Sequence, residues 1–420
     1  MSKFRYSFFL FTFVFVFSAW AGNGGSGYSR YGIGDIRYSF SDISAGMGNA
    51  NIAVFSTNNL NQFNPATWST LSRTRYSIGF KYEGYNTTDD VHSVYLSGTR
   101  FDGVMIGIPI YTPSGIVFGM GFTPYSTINY NVSSTSSFDN LLYKVSQTGD
   151  GGISEGQIGA SWIPTTDFSI GAKLSYYFGS MRHTTSQSFN SSDYSDAEET
   201  RSMISHGLGG TLGIIYTGLG RSLKLDSTRI ISLGLVTSFG TNLTTREEQY
   251  YAYTSNSQSV ITRDTTISDD SQLRLPLRLG IGASYRTPDF LVATDFLFQQ
   301  WSHLQNFGAI AGEFRDSYRF SVGGELFARR EGSATFFQRI AYRAGMFVDA
   351  SYFKINGESI NELGVTGGLG LPIIGETRLN VAAEYSFRGT TNLGLQKDKI
   401  LRLSFTLSGS ERWFIPAEEE

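Results

Sequence analysis

Five arginines are the side chains in this sequence with the clearest capacity for chemistry. They are Arg274, Arg278, Arg343, Arg378 and Arg402. Each alternates with apolar neighbours, so we predict that all five project from the same face of their strands. A guanidinium pairs well with a carboxylate. These arginines therefore either recognise a carboxylate ligand or form internal ion pairs with acids such as Glu325, Asp349 and Glu384.

No arrangement of residues typical of catalysis or metal binding accompanies them. The histidines at positions 92, 183, 206 and 303 are dispersed and lack the spacing of metal ligands. The sequence contains no G-x-S-x-G motif, which would mark a nucleophile elbow. We therefore expect a protein that is not an enzyme and that has no cofactor and no metal site.

Segments of alternating polarity must position the arginines. Between residues 378 and 388, apolar side chains occupy every second position, and polar side chains occupy most of the positions between them. Residues 273–285 and 401–408 follow the same pattern. Because side chains alternate sides along a strand, such a strand is apolar on one face and polar on the other. A transmembrane β-barrel requires this arrangement, with lipid outside and a polar lumen inside.

Composition narrows the class of protein further. The chain has 420 residues, 48 of them glycine, with 15% aromatic and 16% charged residues. Its mean hydropathy is only -0.14. No apolar run of about 18 residues follows the N-terminal region, which argues against a helical membrane protein. The net charge is -3 without a basic block, so we expect no nucleic-acid partner.

The N-terminus has the pattern of a secretory signal peptide. Lys3 and Arg5 precede an apolar stretch at residues 8–17, and Ala19-Trp20-Ala21 forms a cleavage site. We predict a signal peptide over residues 1–21, cleaved near Ala21. The chain has no cysteine, so the exported protein has neither disulfides nor a lipid-modified cysteine.

The remaining chain divides into an irregular leader, a barrel and a tail. Residues 73–414 predict an antiparallel transmembrane β-barrel of about 14 strands, and residues 415–420 a C-terminal tail. Tight links, several with proline, largely alternate with longer polar links at positions such as 133–153, 181–201 and 242–270. This is the pattern of periplasmic turns and extracellular loops. The fold class is therefore all-β.

The leader, residues 22–72, is the segment available to fill the lumen. A barrel of this size has a wide interior, and the leader is rich in glycine without sustained alternation. We therefore predict that it forms an N-terminal hatch in the lumen.

Two short motifs in the leader carry a family resemblance. Gly46, Gly48 and Ala50 form a GxGxA stretch, and Asn64, Pro65 and Ala66 follow it. Placed after a signal peptide and before about 14 strands, they resemble the N-terminal hatch of the FadL-type transporter family for long-chain fatty acids and hydrophobic compounds. Residues 28–35 and 411–414 resemble versions found in Bacteroidetes-type phyla, where FadL-like members also include a type IX secretion component.

The resemblance implies a route for a hydrophobic molecule. In the family, the ligand lands among extracellular loops, enters a pocket in the barrel and leaves sideways at a kinked third strand. By this resemblance, Asn64-Pro65-Ala66 would pin the hatch. Gly119, Gly121 and Pro124 would form the kink and lateral gate, or else a simple bulge.

Aromatic residues of the long loops are candidates for the landing surface. They are Phe189, Tyr194, Tyr250, Tyr251 and Tyr253. The alternative is that they belong to the aromatic girdle at the membrane interface.

Taken together, we predict a monomeric outer-membrane barrel for passive uptake of hydrophobic small molecules, either long-chain fatty acids or hydrocarbons. Its partners are outer-membrane lipid, the hydrophobic ligand and the barrel-insertion machinery, which would recognise Phe405 or Phe414. One alternative is a FadL-like barrel that serves as a protein-secretion shuttle or surface adaptor. A general porin is a second alternative, against which the glycine-rich hatch argues.

Overall fold

The computed structural model describes residues 24–411 with some gaps. The gaps are residues 39, 41–42, 58, 139–140, 192, 255–259, 305–312 and 330–332, and the side chains of 260–263 and 269–270. The predicted signal peptide (1–21), the predicted tail (415–420) and Phe414 lie outside the described residues. In the described part, no helix has the length and apolar character needed to cross a membrane.

The described strands pair into one closed antiparallel sheet. They are β1 (Asp35–Ile36), β2 (Thr74–Thr88), β3 (Ser93–Tyr111), β4 (Ile116–Pro124), β5 (Ser126–Phe138), β6 (Leu141–Thr165), β7 (Phe168–Phe189), β8 (Asp196–Tyr216), β9 (Ile230–Ser238), β10 (Thr241–Thr254), β11 (Val260–Leu275), β12 (Arg278–Arg286), β13 (Phe290–Gln299), β14 (Glu313–Phe314), β15 (Ser317–Leu326), β16 (Ala341–Ile355), β17 (Glu358–Ile374), β18 (Thr377–Gly389) and β19 (Lys397–Glu411). Short helical turns connect or precede them, at Gly27–Arg30, Ser44–Met47, Pro65–Thr70, Thr112–Ser114, Leu219–Ser222, Trp301–His303, Phe337–Arg339 and Asn392–Gly394.

The strands make fourteen crossings, which confirms the predicted barrel. The third, seventh and eighth crossings are each interrupted, as β4 and β5, β9 and β10, and β11 and β12. In the tenth crossing, the short β14 precedes β15. The ring closes where β19 pairs with β2, from Glu411 opposite Thr74 to Lys397 opposite Thr88. A closed ring leaves no free sheet edge along a fully paired crossing.

The alternation of apolar and polar residues explains which side chains of most strands point outward and which point into the lumen. Along β7, outward Phe168, Ile170, Leu174 and Tyr176 are exposed, while inward Ser175 and its inward neighbours are largely buried. The outward apolar residues would meet hydrocarbon and the inward ones fill the lumen.

A row of outward aromatic rings crosses β2, β3, β4 and β7. Phe80 contacts Phe101 at 5.8 Å between ring centroids, Phe101 contacts Phe122 at 6.1 Å, and Phe122 contacts Phe178 at 5.9 Å. Rings in such a row are typical of the girdle that marks a membrane interface. We call these four residues the girdle.

Several strands extend well past the girdle at one end of the barrel, which we call the upper end. The prediction of loops at 133–153, 181–201 and 242–270 is therefore wrong. Most of their residues continue the strands β5 to β8, β10 and β11 as long hairpins. Their Ser- and Thr-rich sequences suggest loops, but ladder pairing with one or two neighbouring strands overrides that local preference.

The predicted inward face of residues 273–285 is also wrong in part. Leu273 and Leu275 are buried in the lumen and Arg274 is exposed on the outside, whereas Arg278 is buried inside. The eighth crossing is interrupted at Pro276–Leu277. Because the side-chain period is two, a break that adds one residue moves every later side chain to the opposite face.

Candidate functional site: a seam in the third crossing and the N-terminal segment

The third crossing is broken at Tyr125. Below the break, β4 pairs with β3, from Tyr111 opposite Ile116 to Val104 opposite Phe122. Above it, β5 pairs with β6, from Ile128 opposite Gly151 to Phe138 opposite Leu141. In the described residues, β5 does not pair with residues 93–103 of β3, so the wall is open between the two strands. We call this opening the seam.

Residues on both sides of the break explain its position. Pro124, the last residue of β4, has no N–H to donate to a ladder. On β6, between Ser154 opposite Pro124 and the start of the pairing with β5, Gly151 and Gly152 have φ values of 110° and 137°, which residues with a Cβ rarely adopt. Gly119 and Gly121 lie in the paired part of β4, opposite Gly107 and Met105. Of the three residues that the sequence suggested for the kink, only Pro124 therefore lies at the break.

The first part of the N-terminal segment runs along the open edge of β5. We call residues 24–38 the upper segment. Its short strand β1 pairs antiparallel with β5, with Asp35 opposite Thr127 and Ile36 opposite Ser126. The Ser29 hydroxyl continues this pairing, because it accepts a hydrogen bond from Asn129 N at 3.1 Å and donates to Asn129 O at 3.0 Å.

Polar contacts join the upper segment to strands on the other side of the seam. Asp35 pairs with Arg388 of β18 at 2.7 Å, and Arg37 pairs with the buried Glu83 of β2. The Ser26 hydroxyl donates to Asp398 of β19 at 2.6 Å. The upper segment therefore bridges β5 and the β18–β19–β2 wall.

Two tyrosines of the upper segment are buried beside carboxylates. Burial, together with the charge of Asp398, raises the pKa of Tyr28 to about 12. Burial also raises the pKa of Tyr38, whose hydroxyl donates to Asp349 at 3.2 Å. Both phenols stay neutral at physiological pH and serve as donors to acceptors of the lumen.

An apolar cluster surrounds the upper segment at the level of the seam. Tyr28, Tyr31 and Ile33 of the upper segment lie in it. Its wall members include Tyr125, Ile128, Tyr177, Met181, Leu273, Trp301, Tyr352 and Ile360. The upper segment therefore packs against apolar side chains on this side and against charged groups of β18, β19 and β2 on the other.

Below the cluster, the lumen becomes charged. A cavity of about 70 Å³ lies between the upper segment and the residues that follow it. Its charged lining residues are Asp35, Arg37, Lys81, Arg319, Asp349, Glu362, Glu384, Arg388 and Arg402. A polar space of this size has room for a few water molecules.

Residues 40–72, which we call the lower segment, form the base of the filled lumen. Asn64 caps the helix Pro65–Thr70, because its Oδ1 accepts from Ala66 N at 3.1 Å and Pro65 occupies the first helical position. Asn64 Nδ2 also donates to Ile52 O at 2.8 Å. The Asn-Pro-Ala motif thus ties two stretches of the lower segment together.

The GxGxA motif lies against the opposite wall. Gly46 faces Gly368 of β17, and a Cβ added to it would come within 3.0 Å of the Gly368 Cα. Gly48 has a φ of 65°, and a Cβ there would lie 2.6 Å from Met346 O. Ala50 is fully buried. Both glycines are therefore required for the close backbone approach to β16 and β17.

Nine glycines, each on a different described strand of the barrel wall, also lie close to the lower segment, and an added Cβ would meet its main chain at five of them and a side chain at the other four. They are Gly107, Gly119, Gly171, Gly213, Gly234, Gly280, Gly323, Gly345 and Gly368, and a Cβ added at each would come within about 3 Å of the lower segment. Because these strands lie all around the ring, the lower segment lies inside it. We call these residues the glycine ring.

A buried carboxylate holds the lower segment on one side. Asp295 of β13 accepts hydrogen bonds from the backbone N–H groups of Asn51 and Ile52, at 2.5 and 2.8 Å. On the other side, Lys173 donates to Gln62 O at 3.0 Å and pairs with Glu155 at 2.9 Å. Both wall side chains are buried.

Two of the five arginines that the sequence singled out form internal ion pairs. Arg343 pairs with Glu325 at 3.0 Å, and Arg402 pairs with Glu83, Glu362 and Glu384. Asp349 pairs with Arg319 at 3.2 Å. Arg278 lies between the rings of Phe63 and Tyr125, with its guanidinium carbon 5.2 and 5.0 Å from their centroids. The ion-pair alternative thus describes Arg343 and Arg402.

The aromatic residues suggested as a landing surface do not form one surface. Phe189 and Tyr194 stack at 5.4 Å at the tip of the β7–β8 hairpin. Tyr250, Tyr251 and Tyr253 lie in the strand β10 and not in a loop. Alternation places Tyr250 on the opposite face from Tyr251 and Tyr253.

Sequence reasoning placed residues 22–72 in the lumen but did not anticipate the pairing of the upper segment with β5, the role of Asp295 or the glycine ring. The glycine ring could have been found in the sequence, because glycines recur at inward positions of successive strands, as at Gly323, Gly345 and Gly368. The pairing of β1 with β5 had no signal in a two-residue strand.

Comparisons with solved structures agree with the geometry of the barrel. The toluene transporter TodX of P. putida matches with a TM-score of 0.60 and 14% sequence identity, over 90% of this chain and 99% of that one. The toluene transporter TbuX of Ralstonia pickettii has a TM-score of 0.58 and 14% identity, over 89% and 98%. The CymD monoaromatic hydrocarbon channel has a TM-score of 0.58 and 14% identity, over 90% and 99%. At this identity the likeness shows the fold, which is that of the FadL-type barrels.

Sequence comparison gives the family itself. No curated protein matches the sequence. The family model described as BamG matches residues 1–418, which is nearly the whole chain. With the fold and the sequence in agreement, this chain belongs to the BamG family.

Proposed function

We propose that this barrel lets small hydrophobic molecules pass the outer membrane by passive diffusion and leave through the seam. The observation that carries the proposal is the open wall between β3 and β5 at the level of the apolar cluster. The FadL-type fold, shared with hydrocarbon channels, supports it.

The upper segment is the part that must move. It occupies the apolar cluster and borders the seam, so a ligand can enter the cluster only where Tyr28, Tyr31 or Ile33 withdraws. Its contacts with β5 are two residues of β1 and the Ser29 hydroxyl. Such hydrogen bonds exchange readily with water, each at a net cost of about 1 kcal/mol.

The exit would open at the membrane interface. The break at Tyr125 lies just above Phe122 of the girdle, and the outward residues of β5 above it are polar, such as Asn131 and Ser133. A hydrophobic molecule that leaves the seam would therefore meet the girdle rings and then the acyl chains below them.

The lower segment would serve as the hatch of the predicted domain arrangement. Gly46, Gly48 and Ala50 lie against one wall and Asn64, Pro65 and Ala66 against another. With the lumen closed at this level, polar solutes are excluded, and the apolar route ends sideways at the seam.

The ligand class that we favour is the neutral hydrocarbon over the long-chain fatty acid. Arg343 and Arg402 already pair with carboxylates of the wall. At either of these arginines, a fatty-acid carboxylate would have to displace Glu325 or Glu362 from a buried pair, and breaking such a pair is costly.

The test uses two disulfide locks, which the cysteine-free chain allows without background. The Ile36→Cys/Ser126→Cys pair locks the upper segment to β5, because these residues are direct partners in β1 and β5. The Ser69→Cys/Ser169→Cys pair locks the lower segment, where the two hydroxyls lie 2.5 Å apart. Uptake of radiolabelled toluene and of oleate is measured in cells without another such channel.

We expect the oxidised upper lock to reduce toluene uptake to the level of cells without the barrel, and reductant to restore it. The lower lock should leave uptake unchanged, and oleate uptake should be small throughout. The proposal fails if the wild-type barrel adds no uptake, or if the locked upper segment passes toluene at the wild-type rate.

A second candidate function follows from the family name. "Bam" points to the barrel-assembly machinery, and the family match spans nearly the whole chain. In this reading the barrel is a membrane subunit or adaptor of that machinery, which is close to the adaptor alternative from the sequence. Depletion of the protein should then slow the insertion of other outer-membrane barrels. An unchanged insertion rate of a reporter barrel would exclude this role.

A further inference from the structure

The upper part of β5 has a free edge that extends beyond the upper segment. In an antiparallel strand, the N–H and C=O of one residue point to the same side, and the sides alternate. Asn129 directs both groups to Ser29, so Asn131, Ser133, Thr135 and Ser137 direct theirs to the same side. No described residue pairs with that side of β5 above Asn129.

This edge lacks the usual features that prevent strand addition. Proteins commonly protect an exposed edge with charged residues, proline, bulges or a covering element. Residues 126–138 contain no charged residue and no proline, and β5 pairs with β6 from Ile128 to Phe138 without a bulge. The side chains from Ser133 to Phe138 are exposed or nearly so.

The molecule already uses the lower part of the same edge to bind an extended segment. β1 adds to β5 in antiparallel orientation at Ser126 and Thr127, and Ser29 takes the place of the next backbone pair at Asn129. The free edge continues this interface upward by about nine residues, which corresponds to roughly 30 Å of strand.

We propose that this edge binds an extended, uncharged segment of a partner protein, which adds to β5 as an antiparallel strand. A second copy of this chain does not fit as well. Two barrels upright in one membrane would bring their β5 strands together in parallel, whereas the edge already holds β1 antiparallel. The uncharged Asn, Ser and Thr side chains offer nothing to attract a charged segment.

The inference is independent of whether hydrophobic molecules pass the seam. It concerns the edge above the upper segment, outside the girdle, and requires no movement of the N-terminal segment. A failure of toluene uptake would therefore leave it standing, and its own failure would leave the uptake proposal standing.

The test places the photo-cross-linking amino acid benzoylphenylalanine at Asn131, Ser133 or Thr135 in the full-length protein in living cells. Matched controls carry it at Thr184 and Ser186 of β7, whose strand pairs with β6 and β8 on both sides. Mass spectrometry then identifies the residue attached at each position.

We expect all three positions to cross-link to one partner segment. Each step of two residues toward the C-terminus of β5 should shift the cross-linked residue two positions toward the N-terminus of the partner segment, as antiparallel pairing requires. The control positions should give at least tenfold less of the same product. Attachment only to lipid, to a second copy of this chain, or to residues without order would overturn the proposal.

A proline variant separates edge pairing from mere proximity. Ser133→Pro removes an N–H that no described group accepts, so the barrel should still form with its ladder to β6 intact. A strand added to β5 would lose that hydrogen bond and would clash with the pyrrolidine ring of the proline. We expect cross-linking from position 131 to fall at least tenfold, while Ser133→Ala leaves it unchanged. Equal cross-linking from both variants would contradict strand addition.

Discussion

The upper and lower parts of the N-terminal segment are both largely buried, but different contacts hold them. The lower segment packs closely against the wall at the glycine ring, where five of the nine contacts involve its main chain, and its N–H groups are held by the Asp295 carboxylate. The upper segment is held by hydrogen bonds to the edge of one broken crossing, by ion pairs such as Asp35–Arg388, and by its three apolar side chains.

This difference separates a fixed part from a movable part of one lumen. Water cannot replace this close packing, because at Gly171, Gly234, Gly323, Gly345 and Gly368 the contact depends on the fit of two main chains. The hydrogen bonds of the upper segment to β5 can be exchanged for water at modest cost, whereas its buried ion pairs Asp35–Arg388 and Arg37–Glu83 are the costlier contacts that opening must break. We therefore interpret the lower segment as the permanent closure and the upper segment as the part that yields.

The largest expected effect concerns the buried carboxylate of β13. Asp295→Ala leaves the N–H groups of Asn51 and Ile52 without their acceptor in a buried site. We expect the free energy of unfolding to fall by about 4 kcal/mol, as the sum of two unpaired donors. Urea unfolding in detergent micelles measures it.

The matched control is Asp295→Asn, which keeps an oxygen acceptor and should lose about half as much. An unchanged free energy of unfolding in Asp295→Ala would mean that the lower segment does not depend on this contact.

A smaller effect is expected in the glycine ring. A Cβ at Gly345 would lie 2.3 Å from the Met47 carbonyl carbon, so Gly345→Ala must displace one of the two main chains. We expect a loss of about 2–3 kcal/mol and faster proteolysis of the lower segment in detergent. Gly367→Ala is the control, since its nearest neighbour is 3.9 Å away. Equal stability of the two variants would contradict close packing.

The smallest effect is expected in the upper segment. Ser29→Ala removes both hydrogen bonds to Asn129, so the Asn129 amide should exchange with solvent about tenfold faster, for a local loss of about 1 kcal/mol. The free energy of global unfolding should stay unchanged. Ser133→Ala, on the same edge, should alter neither quantity. A global loss from Ser29→Ala would show that the upper segment is as structural as the lower one.

The barrel could be predicted from the sequence because the alternation of apolar and polar residues indicates which face of each strand meets lipid. The fourteen crossings follow from it. The same local logic failed where a partner strand decides the outcome. Residues such as Ser146 and Thr184 favour a loop by composition but pair in long hairpins.

The seam and the N-terminal segment could be predicted only in part, because many of their contacts join residues far apart in the sequence. Pro124 marks the break because proline cannot donate to a ladder, whichever strand lies beside it. The upper segment depends on long-range partners, such as Ser29 with Asn129 and Arg37 with Glu83, that no sequence spacing encodes. Arg274 was misplaced because one interruption near Pro276 reverses the face of every residue before it.

Hydrogen exchange of the purified barrel, measured by mass spectrometry peptide by peptide, tests the central claim most directly. We predict that amides of residues 24–38 exchange at least a hundredfold faster than those of residues 43–56 and 59–71. Such a difference would mean that the upper segment opens while the lower segment stays closed. Equal protection of the two would contradict the division into a movable part and a fixed part.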